Sequence, residues 1–384
     1  MALTTAVSVR LPSANGVVSH TLGDPQTLDT LSAPATSREV FAAAHVVVDG
    51  AGQIDWDGTA AFREHLWDLG LGVADAMDTA QRGQGLSAAA ARRLVDQTCS
   101  QAKSRTAPSP LVVGVCTDAL SATDRPSLAA ITSAYLHEVH RARASGAVPV
   151  IMASRQLAAV AASPADYRAV YDEVLSQSDG PVILHWLGTA FDPALKSYWT
   201  GGERDHADQV VLDLIAAHTD TVRGIKVSLL DQTKEVALRA ALPEGVRCYT
   251  GDDFHYTELI AGDGEQHSDA LLGAFAFLAP VASAALRRLD EDDLTGFIQT
   301  LGPSEELSRL VFESPTQFYK VGVAWIAHLS GHQEHFRMLG DLQQRRDPQH
   351  LARVLVAADA LGLFPDPEIA AARARAVFSD LGVS

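Results

Sequence analysis

Lys226 stands in the run Arg223-Gly224-Ile225-Lys226-Val227-Ser228-Leu229-Leu230, a short apolar stretch between two helical-looking segments. Such a stretch reads as a buried strand of a parallel sheet, where an unpaired ammonium is costly. A lysine is tolerated there at the open end of a barrel, or when desolvation holds it neutral. A neutral lysine is a nucleophile that forms a Schiff base with a carbonyl compound. The same run also fits a lysine that snorkels from a strand end or pairs with a carboxylate. His185 ends the apolar run Pro181-Val182-Ile183-Leu184, and its ordinary pKa suits proton transfer near neutrality.

Further polar groups follow other apolar runs: His45 and Asp49, then Asp75, Asp78 and Thr79, then Thr117 and Asp118, then Arg155. Trp186 and Ser228 lie at strand ends, and Asp252, Asp253 and His255 follow a later run. Plainer roles exist for several. Asp252-Asp253 after Gly251 could cap a helix, Asp49 opens an Asp-Gly-Ala-Gly turn, and His45 fits a hydrogen-bonded core histidine. Arg155 could pair with a carboxylate or hold an anionic substrate group.

The elements that must position these groups alternate strand and helix. Apolar runs at Ala42–Val48, Val73–Met77, Leu111–Cys116, Val148–Ala153, Val182–Trp186, Gly224–Leu229, Arg247–Thr250 and Ala270–Leu272 are strand candidates. Helical patterns over Asp57–Leu69, Ser87–Lys103, Ser127–Ser145, Pro164–Gln177 and Ala207–His218 separate them, with Ser87 an N-cap. Eight such units predict an α/β fold, the (β/α)8 TIM barrel, and no glycine fingerprint after the first strand supports a doubly wound sheet. Active sites of such barrels lie at the strand C-termini, which is where the polar residues above fall. Residues 1–38 read as a β-hairpin, turning at Ser13-Ala14-Asn15-Gly16, plus a linker that packs on the main domain or on a neighbouring subunit. Residues 39–280 form the barrel and 281–384 a helical extension packed on it.

Composition narrows the function. With 384 residues, 47% apolar and 20% charged, the chain is a well-cored globule. A net charge of −17 argues against nucleic acid and anionic membranes as partners. Cys99, Cys116 and Cys248 show no CxxC spacing, which suits free thiols in a reducing compartment. Neither a signal-peptide pattern nor a membrane-spanning run is present, so a cytoplasmic location is expected.

Gly224-Ile225-Lys226 resembles the GIK motif of the dihydrodipicolinate synthase and N-acetylneuraminate lyase superfamily. Pro181–Trp186 resembles its fifth strand, Tyr249-Thr250-Gly251-Asp252-Asp253 its seventh, and Ala270–Pro280 its eighth with the proline of the following helix. Phe318-Tyr319-Lys320 through Leu363 is similar to its C-terminal helical tail. The likeness spans roughly residues 40–365, in register. It implies a class I aldolase or lyase whose Schiff-base lysine is Lys226, and it implies a homodimer or homotetramer. His185 falls where that family has a tyrosine proton shuttle. Met77-Asp78-Thr79-Ala80-Gln81-Arg82-Gly83 replaces the loop that holds a keto acid's carboxylate, and an aspartate there would repel one.

The expected activity is therefore a Schiff-base lyase, aldolase or dehydratase on a small keto acid or sugar-derived keto compound, with no cofactor. Lys226 is the nucleophile, His185 the proton shuttle and Asp78 a second acid/base. Asp75, Thr79, Arg155, Asp252 and Asp253 bind substrate. An alternative is a lyase or isomerase using a divalent metal held by His45, Asp75, His185, Asp252 and His255. A third reading is a non-catalytic barrel that binds a sugar acid.

Overall fold

The computed structural model describes residues 7–121, 123–201 and 206–383. Two strands come first, β1 (Ser8–Ser13) and β2 (Gly16–Thr21), paired antiparallel. Gly16 closes their turn at φ +116°, a backbone conformation that residues with side chains rarely adopt. Val9 and Leu11 are buried, and the hairpin packs on the C-terminal helices Pro348–Ala360 and Pro367–Asp380. His20 Nε2 lies 2.7 Å from Asp359 Oδ2, and Arg375 donates to the Ser8 carbonyl. The hairpin is thus anchored on its own chain, while residues 1–6 lie outside the described residues.

Eight parallel strands then close a barrel: β3 (Val40–Ala43), β4 (Gly72–Asp75), β5 (Leu111–Val115), β6 (Val148–Ile151), β7 (Val182–Leu187), β8 (Val222–Ser228), β9 (Arg247–Thr250) and β10 (Asp269–Leu272). Their order round the ring is β10-β3-β4-β5-β6-β7-β8-β9. This is the (β/α)8 architecture expected from the alternating pattern. Helices Trp56–Asp68, Ala88–Ser104, Leu128–Ala144, Pro164–Ser176, Ala207–Ala217 and Gln232–Ala240 fall between strands. Serine caps start two of them, Ser87 accepting from Ala90 N–H and Ser127 from Ala130 N–H.

Most strand ends fall within two residues of the expected runs, and one departs further. The first barrel strand is Val40–Ala43 rather than Ala42–Val48, because Val46–Val48 leaves the barrel to meet Ile54 across the Asp49–Gln53 turn. Arg155 follows the fourth strand as expected and opens a short helix, Arg155–Val160, capped by Ser154.

Side chains alternate between the two faces of each strand. Phe41, Ala43, Ala74, Val112, Val150, Ile183, Tyr249 and Leu271 fill the barrel interior. Val73, Val113, Ile151, Val182 and Leu184 face the helices. The N-terminal mouth is closed by Glu39, which pairs with Arg223 and accepts from the Tyr249 hydroxyl, and by Arg247 on Asp269 at 2.6 Å. Helices from Ala274 onward form a layer whose members include Ala279–Asp290, Ser304–Val311 and Lys320–Leu329. The apolar core of that layer is continuous with the outer faces of β3, β4 and β10.

Candidate active site

Strand parity decides which polar residues reach the open mouth. Ile183 and Gly224 are register partners, as are His185 and Lys226 two residues on. Both later residues therefore share the interior face with Ile183, at the C-terminal end of the ring. Gly251 makes room beside them: a Cβ there would come within 2.8 Å of Lys226 Cε.

Lys226 is 8% exposed and has neither a hydrogen-bond nor an ion-pair partner among the described residues. Burial lowers its pKa, while the charges of Asp253 and Asp78 act in the opposite direction. Asp253 is itself buried, and desolvation lifts its pKa above the usual carboxylate range. The Ala274 N–H, donating to Asp253 Oδ1 at 2.9 Å, and the Lys226 charge restrain that rise. Each group thus becomes easier to find uncharged than it would be in water.

His185 is fully enclosed. Its Nε2 lies 3.1 Å from Ser228 Oγ, and its Nδ1 is buried with no partner among the described residues. Burial, then the Lys226 charge, drives its pKa well below 6.5. The expectation of an ordinary histidine pKa is corrected here: this imidazole is neutral near pH 7.

On the opposite side Thr79 follows β4 in a short turn, Asp78–Ala80. Its Oγ1 lies 2.7 Å from the hydroxyl of Tyr319, a buried residue of the C-terminal layer. Tyr319 stacks on Phe312 at 4.3 Å between ring centres and meets the edge of Phe191. Next to it Lys320, 3% exposed, donates to Gln84 Oε1 at 2.9 Å. Burial brings Lys320 down to about 8, opposed by the charge of Asp78. Asp78 thus acts on Lys226, Lys320, Tyr319 and Arg155 alike. Arg155 is held by Asp192, Nε to Oδ2 at 2.5 Å, and is partly exposed.

Several expected site residues are used elsewhere. Asp75 follows Ala74 on β4, so it points outward, where it pairs at 2.7 Å with Arg63 of the helix Trp56–Asp68. Both side chains have no exposure, so Asp75 is a structural counter-ion rather than a substrate ligand. Asp252 accepts from Phe254 N–H and His255 N–H and lies against the His255 ring, which is turn chemistry. His45 Nε2 meets Gln333 Oε1 at 3.0 Å, and burial lowers its pKa to about 3. The metal set His45, Asp75, His185, Asp252 and His255 is therefore not assembled. Among the described residues no group of three or more His, Cys, Asp or Glu is placed to hold a metal ion. Tyr319, Lys320 and Gln84 were not foreseen. The signal for Lys320 was a lysine opening the otherwise apolar helix Lys320-Val-Gly-Val-Ala-Trp-Ile-Ala-His-Leu329.

A family described as "Protein of unknown function (DUF993)" matches residues 9–383. The chain belongs to the DUF993 family. A search of curated proteins finds no match for this DUF993 chain. Solved structures do resemble it. A prophage protein of the dihydrodipicolinic acid synthase family from E. coli K12, solved with pyruvate, superposes with a TM-score of 0.66 at 17% identity. That alignment covers 86% of the DUF993 chain and 100% of the other. Dihydrodipicolinate synthase from Aquifex aeolicus gives 0.64 at 14% identity, covering 85% and 99%. The enzyme from Bacteroides thetaiotaomicron gives 0.64 at 14%, covering 84% and 99%. The DUF993 chain thus has the fold of the dihydrodipicolinate synthase family, as the GIK resemblance implied.

Proposed function

We propose that this protein is a Schiff-base lyase, an aldolase or dehydratase, acting on a keto acid or a sugar-derived keto compound. The observation that carries the reading is Lys226: a buried amine with no bonded partner among the described residues, at the C-terminal end of a barrel strand, with its pKa lowered by burial. The Lys226 Nζ lone pair attacks the carbonyl carbon, and the carbonyl oxygen leaves as water to give a protonated imine. In aldol cleavage the β-hydroxyl loses its proton and the C–C bonding pair moves into the imine, releasing an aldehyde and leaving an enamine. In dehydration an α-proton is removed first, and the β-hydroxyl then departs as water. Protonation and hydrolysis return the free amine.

Asp253 exchanges protons with the Lys226 nitrogen. Thr79 and Tyr319 form the hydroxyl relay that reaches the leaving oxygen, which supplies a phenol although the fifth strand carries His185. His185, neutral and bonded to Ser228, accepts or donates through that serine. Asp78 accepts substrate hydroxyls, and its charge disfavours a carboxylate placed directly against it.

The test is inactivation by borohydride in the presence of keto compounds. Reduction converts the imine to a stable secondary amine, so intact mass rises by one reduced-ketone increment in the wild type and not in Lys226→Arg. Turnover unaffected by borohydride plus substrate rejects the proposal.

A further inference from the structure

Two buried lysines stand at one barrel mouth. Lys226 belongs to β8, whereas Lys320 is tied through Gln84 to the loop after β4. In the ring, β4 and β8 are diametrically opposed, so the loop that holds Lys320 follows the strand opposite that of Lys226. Asp78 exerts its charge on both.

Lys320 is hard to explain as a packing residue. Its ammonium carries three donors, and Gln84 takes one. Among the described residues it makes no ion pair, although it is 3% exposed. The neighbouring cation, Arg155, already has Asp192, whose second oxygen accepts from Ala194 N–H. Lys320 also opens a ten-residue helix whose N-terminal end adds a partial positive charge. Asp78 and Asp192 act on Lys320 only at a distance, so among the described residues two of its donors stay unmet, and a ligand anion would take them.

We propose that Lys320 binds an anionic group at the far end of the keto substrate, across the mouth from the carbonyl that condenses with Lys226. This rests on the Schiff-base reading. Asp78 accepts a hydroxyl on the chain between the two ends. The substrate class is a hydroxylated keto compound ending in a carboxylate or a phosphate. Pyruvate, whose carboxylate adjoins its carbonyl, carries no distal anion for Lys320.

The test measures borohydride trapping by intact mass with paired probes: levulinate against 2-pentanone, dihydroxyacetone phosphate against dihydroxyacetone, and pyruvate. Lys320→Met is expected to raise the half-saturating concentration of an anionic distal probe about tenfold or more, leaving the uncharged probes and pyruvate unchanged. Lys320→Arg should keep the discrimination. A response in the levulinate pair assigns a carboxylate, and one in the phosphate pair assigns a phosphate. Equal changes with charged and uncharged probes, or a change confined to pyruvate, overturn the proposal.

If the wild type traps no carbonyl compound, the Schiff-base reading fails by itself. The anion site is then read from Tm, with levulinate or inorganic phosphate stabilising the wild type and not Lys320→Met. Equal shifts in both proteins overturn it. The Tm of Lys320→Met without probes should be at least that of the wild type, because an apolar chain of similar length replaces a buried amine. A fall in Tm with unchanged probe discrimination makes Lys320 a structural pin and also overturns it.

Discussion

Thr79 Oγ1 and the Tyr319 hydroxyl meet at 2.7 Å although 240 positions separate the residues. The contact joins the loop after β4 to the C-terminal helical layer, so that layer contributes to the site as well as to stability. Thr79→Val and Tyr319→Phe should each leave imine trapping intact. Each should slow deuterium exchange at the carbon beside the trapped ketone by ~100-fold, the scale of a lost proton relay. The double variant should be no slower than the singles, because the two hydroxyls act as one unit. Additive losses measured by NMR would separate them.

His185→Phe removes a neutral imidazole from beside Ser228. Imine trapping at Lys226 should persist while turnover falls. A pH–rate profile should show no limb near 6.5 in the wild type, because burial holds His185 well below that value. A limb near 6.5 that disappears in His185→Phe would show that this histidine titrates normally.

Asp75→Asn leaves the Arg63 guanidinium buried without its counter-ion. The expected loss is ~3–5 kcal/mol of stability, the usual result of breaking one side of a buried pair. Urea denaturation measures it. Unchanged stability together with altered substrate preference would return Asp75 to the site.

Acid should destabilise the fold through its buried histidines. His45 and His332 are held at about 3 and His328 at about 4, each chiefly by burial. Unfolded histidine titrates near ~6.5, so below that pH the unfolded chain binds protons that the folded chain refuses. Stability present above pH 6.5 is therefore lost as the pH falls towards the folded values. At pH 5 the loss is ~1–2 kcal/mol per histidine. His332→Phe should show a shallower decline between pH 7 and 5 in denaturant titrations. An unchanged slope contradicts the assignment.

The barrel was legible because each apolar run, and the Ser87 cap, is a local signal. Lys226 and His185 were legible because polar residues inside such runs stand out. Parity was also available: counting from the run Gly72-Val73-Ala74-Asp75 would have sent Asp75 outward, had the inward residue been known. That knowledge is a tertiary fact, because Val73 and Ala74 are equally apolar. The Thr79–Tyr319 and Lys320–Gln84 contacts join positions more than 230 apart, and no periodicity carries them. The lowered pKa of His185 depends on complete enclosure, which its sequence neighbours alone do not set.

The most direct measurement is peptide mapping by mass spectrometry after borohydride trapping with a panel of keto compounds. The reduced adduct should lie on the peptide containing Lys226 and nowhere else, and Lys226→Arg should yield none while remaining folded. An adduct on Lys320, or no adduct alongside turnover that a chelator abolishes and a divalent ion restores, would contradict Lys226 as the Schiff-base residue.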